Sequence, residues 1–227
     1  LGLFFANELD LLKESVRLNC LATHTDELAH AAALAVALTT RLALRGSTSP
    51  DCFRSDVLIH LPAGSFRTNL EKMLLALEAK RSAEDFMQND LGVSSVSGFV
   101  NHSVVLAIHV WLETPDDFEV GLRRILCMGG DTDTNAAIFA AFCGVYLGDR
   151  LNKRLFTDLC EWPRTKPYMA TLAEKCFLAR NKFISGQVNN FDQDSFKEPY
   201  WIALCARSFV LWLLIFLKLF RRGLPPY

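Results

Sequence analysis

The sequence has no surplus of charge of either sign, no cysteine pair at metal-binding spacing and none of the common catalytic signatures. Lysine plus arginine number 24 against 25 aspartate plus glutamate. Without a basic excess the chain is not suited to phosphate backbones, so nucleic-acid binding is not expected as a primary role. The cysteines, at 20, 52, 127, 143, 160, 176 and 205, are odd in number and contain no C-x-x-C pair. That argues against a secreted disulfide framework and a zinc knuckle, and the residues read as reduced thiols, mostly in the core, with a cytoplasmic location expected. G-x-S-x-G, H-E-x-x-H, G-x-G-x-x-G and the P-loop are all missing, which removes the carriers of esterase, zincin, dinucleotide-binding and NTPase chemistry. No basic n-region or small-residue cleavage site precedes the first helical pattern, so no secretory signal is expected.

What is present is apolar periodicity. Hydrophobic residues make up 51% of the chain, enough for a packed core and too many for a disordered segment. With no long linker or internal repeat, a single domain over 1–227 is expected. Alternating strand patterns are scarce, while apolar residues three and four apart recur throughout, so the fold class predicted is all-α. Leu9, Leu12, Val16 and Leu21 mark one helix, and Leu28, Ala32, Ala35, Leu38 and Leu42 a second that Gly46 stops. Ser49-Pro50-Asp51 restarts the chain with an N-cap hydroxyl and a proline at the first helical position, and Thr114-Pro115-Asp116-Asp117 repeats that grammar. Ser82 with Asp85 offers a capping box. Gly92-Val93-Ser94-Ser95-Val96-Ser97-Gly98 is too polar and glycine-rich for a helix interior and reads as a loop. An amphipathic helix around Val104, Ile108 and Trp111 follows, and then one around Phe118, Leu122 and Ile125. Ala136, Ala137, Ala140, Ala141, Gly144 and Gly148 place small residues at helical spacing, which suggests a central, buried helix.

Residues 209–217 are apolar without interruption, between Arg207 and Lys218. A spanning helix needs about 20 largely uncharged residues, so a membrane role is not expected. The segment from 207 to 227 is read as an apolar helix and tail, buried or docked on another surface, with a membrane-surface anchor as the alternative.

The strongest chemical signal is Gly129-Gly130-Asp131-Thr132-Asp133-Thr134 between two helices. Carboxylates at Asp131 and Asp133 with the Thr134 hydroxyl supply hard oxygen ligands, suited to Mg²⁺, Mn²⁺ or Ca²⁺ rather than zinc. Paired glycines let the backbone turn and a ligand come close. An EF-hand is excluded because Ala136 and Phe142 occupy the positions of its required glycine and glutamate. The alternative is that Asp133 or Thr134 simply caps the next helix. Thr23-His24-Thr25-Asp26 opens the long alanine-rich helix, where His24 could meet a phosphate or be a surface histidine beside an N-cap threonine. His30, His60 and His109 are isolated and read as structural. Cys127 reads as core packing.

These landmarks resemble the ADP-ribosylglycohydrolases, a family that includes ADP-ribosylhydrolases and the dinitrogenase reductase-activating glycohydrolase. The likeness rests on Gly129-Gly130-Asp131-Thr132-Asp133-Thr134 and the small-residue helix to Tyr146-Leu147-Gly148. It also rests on Thr23-His24, on Ser97-Gly98-Phe99-Val100 leading into the helix with Trp111, and more weakly on Glu161-Trp162-Pro163-Arg164 and the tail from Phe220 to Tyr227. The resemblance implies an all-α orthogonal bundle with two Mg²⁺ ions in a cleft, where ADP-ribose is cleaved from a modified protein side chain or small molecule. It makes Asp131, Asp133 and Thr134 metal ligands, with Mn²⁺ a possible substitute. It places Ser97, Gly98, Phe99, Val100, Gly129, Gly130 and His24 about the ADP-ribose. The partners it implies are ADP-ribosylated proteins or small-molecule ADP-ribose conjugates.

The family pattern also carries a Thr-Asp-Asp cluster and an upstream glutamate that complete the metal sites and the acid/base chemistry. Neither is present here. Thr25-Asp26-Glu27 is the nearest string, and it follows Thr23-His24 instead of preceding it. The expectation is that the family's N-terminal portion is absent, leaving the catalytic acid/base residues unassigned. A catalytically inactive ADP-ribose-binding or scaffold protein that keeps the fold is the alternative function.

Overall fold

A computed structural model describes residues 1–157, 162–186 and 201–223. Cys160, Glu161 and the tail residues 224–227 lie outside the described residues. The chain divides into two compact units, Leu1–Leu151 and Asn152–Tyr227.

The first unit holds eight α-helices: α1 (Leu9–Leu21), α2 (Glu27–Leu44), α3 (Pro50–Asp56), α4 (Ser65–Glu78), α5 (Ala83–Asn89), α6 (Val100–Glu113), α7 (Phe118–Cys127) and α8 (Thr132–Leu147). Strand pairing among the described residues is limited to one isolated parallel bridge, Val96 to Gly130, in keeping with the all-α class. Several helix starts follow from side-chain chemistry. Ser49 Oγ accepts from the Cys52 N–H at 3.1 Å, with Pro50 opening α3, and Ser82 Oγ accepts from the Asp85 N–H at 3.2 Å. Each such cap satisfies an N–H that the first turn leaves without a partner.

Two expected caps move. At α2 the cap is Asp26, whose Oδ1 accepts from the Leu28 and Ala29 N–H groups at 2.8 and 3.3 Å. Thr23 instead donates back to the Cys20 carbonyl at the end of α1. At α7 the cap is Asp117, accepting from the Val120 N–H at 3.0 Å. Thr114 closes α6, its hydroxyl donating to the Val110 carbonyl at 2.8 Å. Helix ends compete for the same short polar residues, and the one whose backbone is already extended at the right place wins.

The central helix is α6 rather than α8. Every residue from Ser103 to Leu112 on α6 is buried, because a helix that is apolar all round must be covered all round. It packs against α2, α4, α5, α7 and α8. In α8 the bulky Phe139, Phe142, Cys143 and Leu147 face the core, while Ala137, Ala141 and Gly144 are exposed. Small residues have little surface to hide, so the large side chains decide which face turns inward. Trp111 is fully buried, its ring 5.6 Å from Phe142 and 6.0 Å from Tyr146.

The cysteines also depart from expectation. Among the described residues only Cys20 and Cys143 are buried; Cys52 is half-buried, and Cys127, Cys176 and Cys205 are exposed. Burial pushes the Cys143 thiol up to about 12. Cys127 ends α7 on its outward face, where the periodicity that buries Gly121 and Ile125 does not reach.

Between α5, α6 and α7 sits a charged knot. Arg124 donates to both carboxylate oxygens of Glu84, at 2.7 and 2.5 Å, and to Glu113 at 2.8 Å. Glu113 also accepts from the Ala83 N–H at 3.2 Å. The Arg124 hydrogen bonds hold the Glu84 carboxyl below its ordinary range and the guanidinium above its own. A depressed carboxyl stabilises the fold above its unfolded pKa, and that contribution is lost as pH falls through the folded value. Arg124→Ala should therefore destabilise by about 2 kcal/mol at neutral pH, between a surface pair and a buried one. Urea unfolding at pH 7 and 4 checks it: the gap between wild type and variant should narrow in acid.

The second unit contains a 3₁₀ turn (Lys153–Phe156), α9 (Lys166–Ile184) and α10 (Trp201–Gly223). The C-terminal helix thus begins at Trp201, ahead of Arg207. None of Trp201–Arg221 is buried.

Candidate functional site

The loop 92–98 and the turn after α7 are sewn together at Val96, the one fully buried residue of the loop. Its N–H donates to the Met128 carbonyl at 3.3 Å, and its carbonyl accepts from the Asp131 N–H at 2.9 Å. The same carbonyl accepts from Asn135 Nδ2 at 3.1 Å, so α8 is tied to the loop as well. Asn135 is almost fully buried, and its Oδ1 makes no hydrogen bond.

This suture explains the glycines. Gly130 has φ +72°, and a Cβ there would run into the Val96 carbonyl. Both facts demand glycine, one by conformation and one by space. Gly98 has no unusual φ, but a Cβ on it would stand 2.7 Å from Asp131 Oδ2. Gly98 therefore lies beside Asp131, and Gly130 beside Val96 and Ser97.

Asp131 occupies the N-cap position of α8, yet its side chain caps nothing. Asp133 and Thr134 are both exposed in the first turn of that helix. Capping therefore does not account for Asp131, and its carboxylate points to the loop instead. The Asp133 carboxyl is held below the ordinary range, first by hydrogen bonding with Asp131 and then by the N–H groups of Thr134 and of Asp133 itself. A bond between two carboxyls needs a shared proton. When both are ionised, the same proximity becomes repulsion that a cation relieves.

In kind, these donors fit a hard divalent ion. In number, two carboxylates and a hydroxyl fit one Mg²⁺ that keeps several waters. Among the described residues no group of three or more His, Cys, Asp or Glu gathers to hold a metal.

The loop leads into α6 through Phe99 and Val100. Phe99 is half exposed, and its N–H donates to Ser97 Oγ at 3.3 Å. A residue that the sequence reading passed over joins here: His102, whose Nδ1 lies 3.4 Å from Ser97 Oγ and whose ring meets Phe99 edge-on at 5.2 Å. Burial lowers its pKa. Its signal was available, since His102 stands three residues after Phe99 at the start of a helix, one turn further round the same face. His24 belongs to a different part of the surface. It is exposed, pairs with Thr23 Oγ1 at 2.8 Å, and lines a groove of about 270 Å³ that it shares with Asn19, Val36, Val100 and Val104. The groove meets the loop at Val100.

A family model described as ADP-ribosylglycohydrolase matches residues 1–183, which takes in the whole first unit and α9 up to its last residue but one. A search of the curated proteins found no match.

Proposed function

The chain belongs to the ADP-ribosylglycohydrolase family, and from that premise we propose that it acts on the glycosidic bond joining ADP-ribose to a modified protein side chain or small molecule, with Mg²⁺ held by Asp131, Asp133 and Thr134. The observation that carries the reading is the suture at Val96, which sets the loop so close to the acidic turn that a Cβ at 130 would strike the Val96 carbonyl and one at 98 would meet the Asp131 carboxylate. A bound divalent ion supplies fixed positive charge for sugar hydroxyls and a more acidic bound water.

The protein's own groups have defined tasks. Asp131 and Asp133 present negative charge toward the anomeric centre, where positive charge develops as the bond breaks. The half-exposed Phe99 ring offers an apolar platform for a base or sugar face. His102, neutral near pH 7, keeps Ser97 Oγ in place and is a positioning residue. Hydrogen bonds to the Val96 carbonyl fix the loop before ligand arrives, which lowers the ordering cost of binding. The small donor set favours, as the second reading, a protein that binds ADP-ribose without turnover.

Thermal unfolding with Mg²⁺, with ADP-ribose and with both tests the assignment. The expected result is a ligand-dependent rise in Tm that Asp133→Ala abolishes. A Mg²⁺ response unchanged in Asp133→Ala would remove the metal assignment. Release of free ADP-ribose from an ADP-ribosylated peptide separates the hydrolase from the binding protein.

A further inference from the structure

α10 lies beyond the residues matched to the family, and its composition is unlike that of any other exposed segment. Its most apolar stretch of 18 residues within Trp201–Arg221 has a mean hydropathy of 2.1, and none of it is buried. α2 passes the same test of length and apolarity, but more than half of it is buried in the core. An apolar surface as continuous as that of α10 marks an interaction site.

The distribution of residues round the helix names the partner. At 3.6 residues per turn, Lys218 and Arg221 fall within about 40° of Arg207 round the axis. Cys205, Phe209, Trp212, Phe216 and Phe220 fall within about 40° of the opposite pole. Along that pole the rings form a ladder, Trp212 to Phe216 at 5.7 Å and Phe216 to Phe220 at 6.5 Å, both stacked. Phe209, Trp212, Phe216 and Phe220 are each more than half exposed. Leu211 and Leu214 fall in the same arc as the cations, so the basic stripe is interrupted; cations gathered on one side opposite an aromatic and aliphatic face suit a helix lying in the plane of a lipid surface.

A spanning arrangement fits poorly. Arg207 and Lys218 are separated by about 16 Å of helix, roughly half of the 30 Å hydrocarbon layer. Setting Lys218 at one interface would carry Arg207 into the middle of that layer, where an arginine is costly. In the plane, both cations sit at headgroup depth and the rings point into the acyl chains. We infer that α10 docks the protein on anionic membrane surfaces as an in-plane amphipathic helix, with Trp212, Phe216 and Phe220 inserted and Lys218 and Arg221 facing the headgroups.

The test is co-sedimentation of the full chain with vesicles of phosphatidylcholine alone and with about one third phosphatidylserine. Binding should be about tenfold or more stronger to the anionic vesicles and should weaken with salt, because each basic residue near a charged surface contributes several-fold. Phe216→Glu should abolish binding. Lys218→Glu/Arg221→Glu should lose the preference for phosphatidylserine while keeping residual binding to neutral lipid. Circular dichroism and thermal unfolding establish that both variants stay folded. Bound protein should be released by alkaline carbonate. Lack of binding to either vesicle would overturn the inference, as would equal binding by wild type and Phe216→Glu. Retention after carbonate extraction would replace an in-plane helix with a spanning one. A stable dimer without vesicle binding would assign the face to a second copy of the chain.

Discussion

Replacing His109 with leucine is expected to make the protein markedly more resistant to acid. His109 is fully buried on α6, its ring edge-on to Phe86 at 5.3 Å. Neither ring nitrogen makes a hydrogen bond of proper geometry, and the Glu113 carboxylate stands 4.0 Å from Nε2. Burial lowers its pKa to about 4, and the nearby Glu113 and the Arg81 backbone only partly offset this. The folded imidazole thus refuses a proton that the unfolded one takes up below about pH 6.5. Wherever the unfolded state binds more protons, stability falls as pH falls. From pH 7 to pH 4 this single residue should remove about 3 kcal/mol, a large share of the 5–15 kcal/mol that ordinarily holds a domain. Urea unfolding of wild type and His109→Leu at pH 7, 6, 5 and 4 measures it. The variant should lose about 1 kcal/mol at pH 7 with the ring contact, so the decisive quantity is the slope against pH. Parallel slopes would show that His109 is not the titrating group.

The second large effect is expected at Gly130. Gly130→Ala places a Cβ against the Val96 carbonyl and forces a residue with a side chain to hold φ +72°. Backbone strain of about 1 kcal/mol adds to a collision that only separation of loop and turn can relieve, so a loss of about 3 kcal/mol is expected. Gly129→Ala is the matched control. Its φ is +71°, but the nearest foreign atom to a Cβ there is Ser95 Cβ at 3.7 Å, ordinary contact. It should lose only the strain, about 1 kcal/mol, and keep the suture. Equal losses in the two variants, read from chemical denaturation, would mean that the contact between loop and turn contributes little.

The helices and their order were legible because each is written locally. Ser49 and Ser82 cap as their neighbours dictate, Gly46 follows the end of α2 with φ +70°, and the acidic turn sits between two helices as its glycines require. What failed to read correctly depended on neighbours far along the chain. The small residues of α8 suggested close packing, but small side chains permit burial without requiring it, and α6 took the centre because Val104, Val105, Ile108 and Trp111 have far more surface to hide. Within the site, Asp131, Gly130 and the loop through Phe99 could be singled out by residue type. Their contact through Val96 could not, since a lone valine in a polar loop carries no mark of the partner it will meet. His102 was missed because a histidine inside a helical pattern reads as any other polar residue until Ser97 is placed beside it. The exposure of α10 was illegible for a related reason: an apolar helix announces that it needs cover without saying whether protein or lipid provides it.

Val96 and Gly130 are joined by a single bridge across the whole of α6 and α7. Those two helices pack against each other, so once they form, the ends to be joined are already near and the entropic cost of closure is that of a short loop. The suture is then expected to open more readily than the helices it joins. Hydrogen exchange at the Val96 and Asp131 amides, both donors in the suture, should proceed through a local opening, faster than at the Val105 to Val110 amides inside α6. The ligand loop can release from the acidic turn many times during the life of one folded molecule, and a ligand that bridges the two would be read out as slower exchange at these amides.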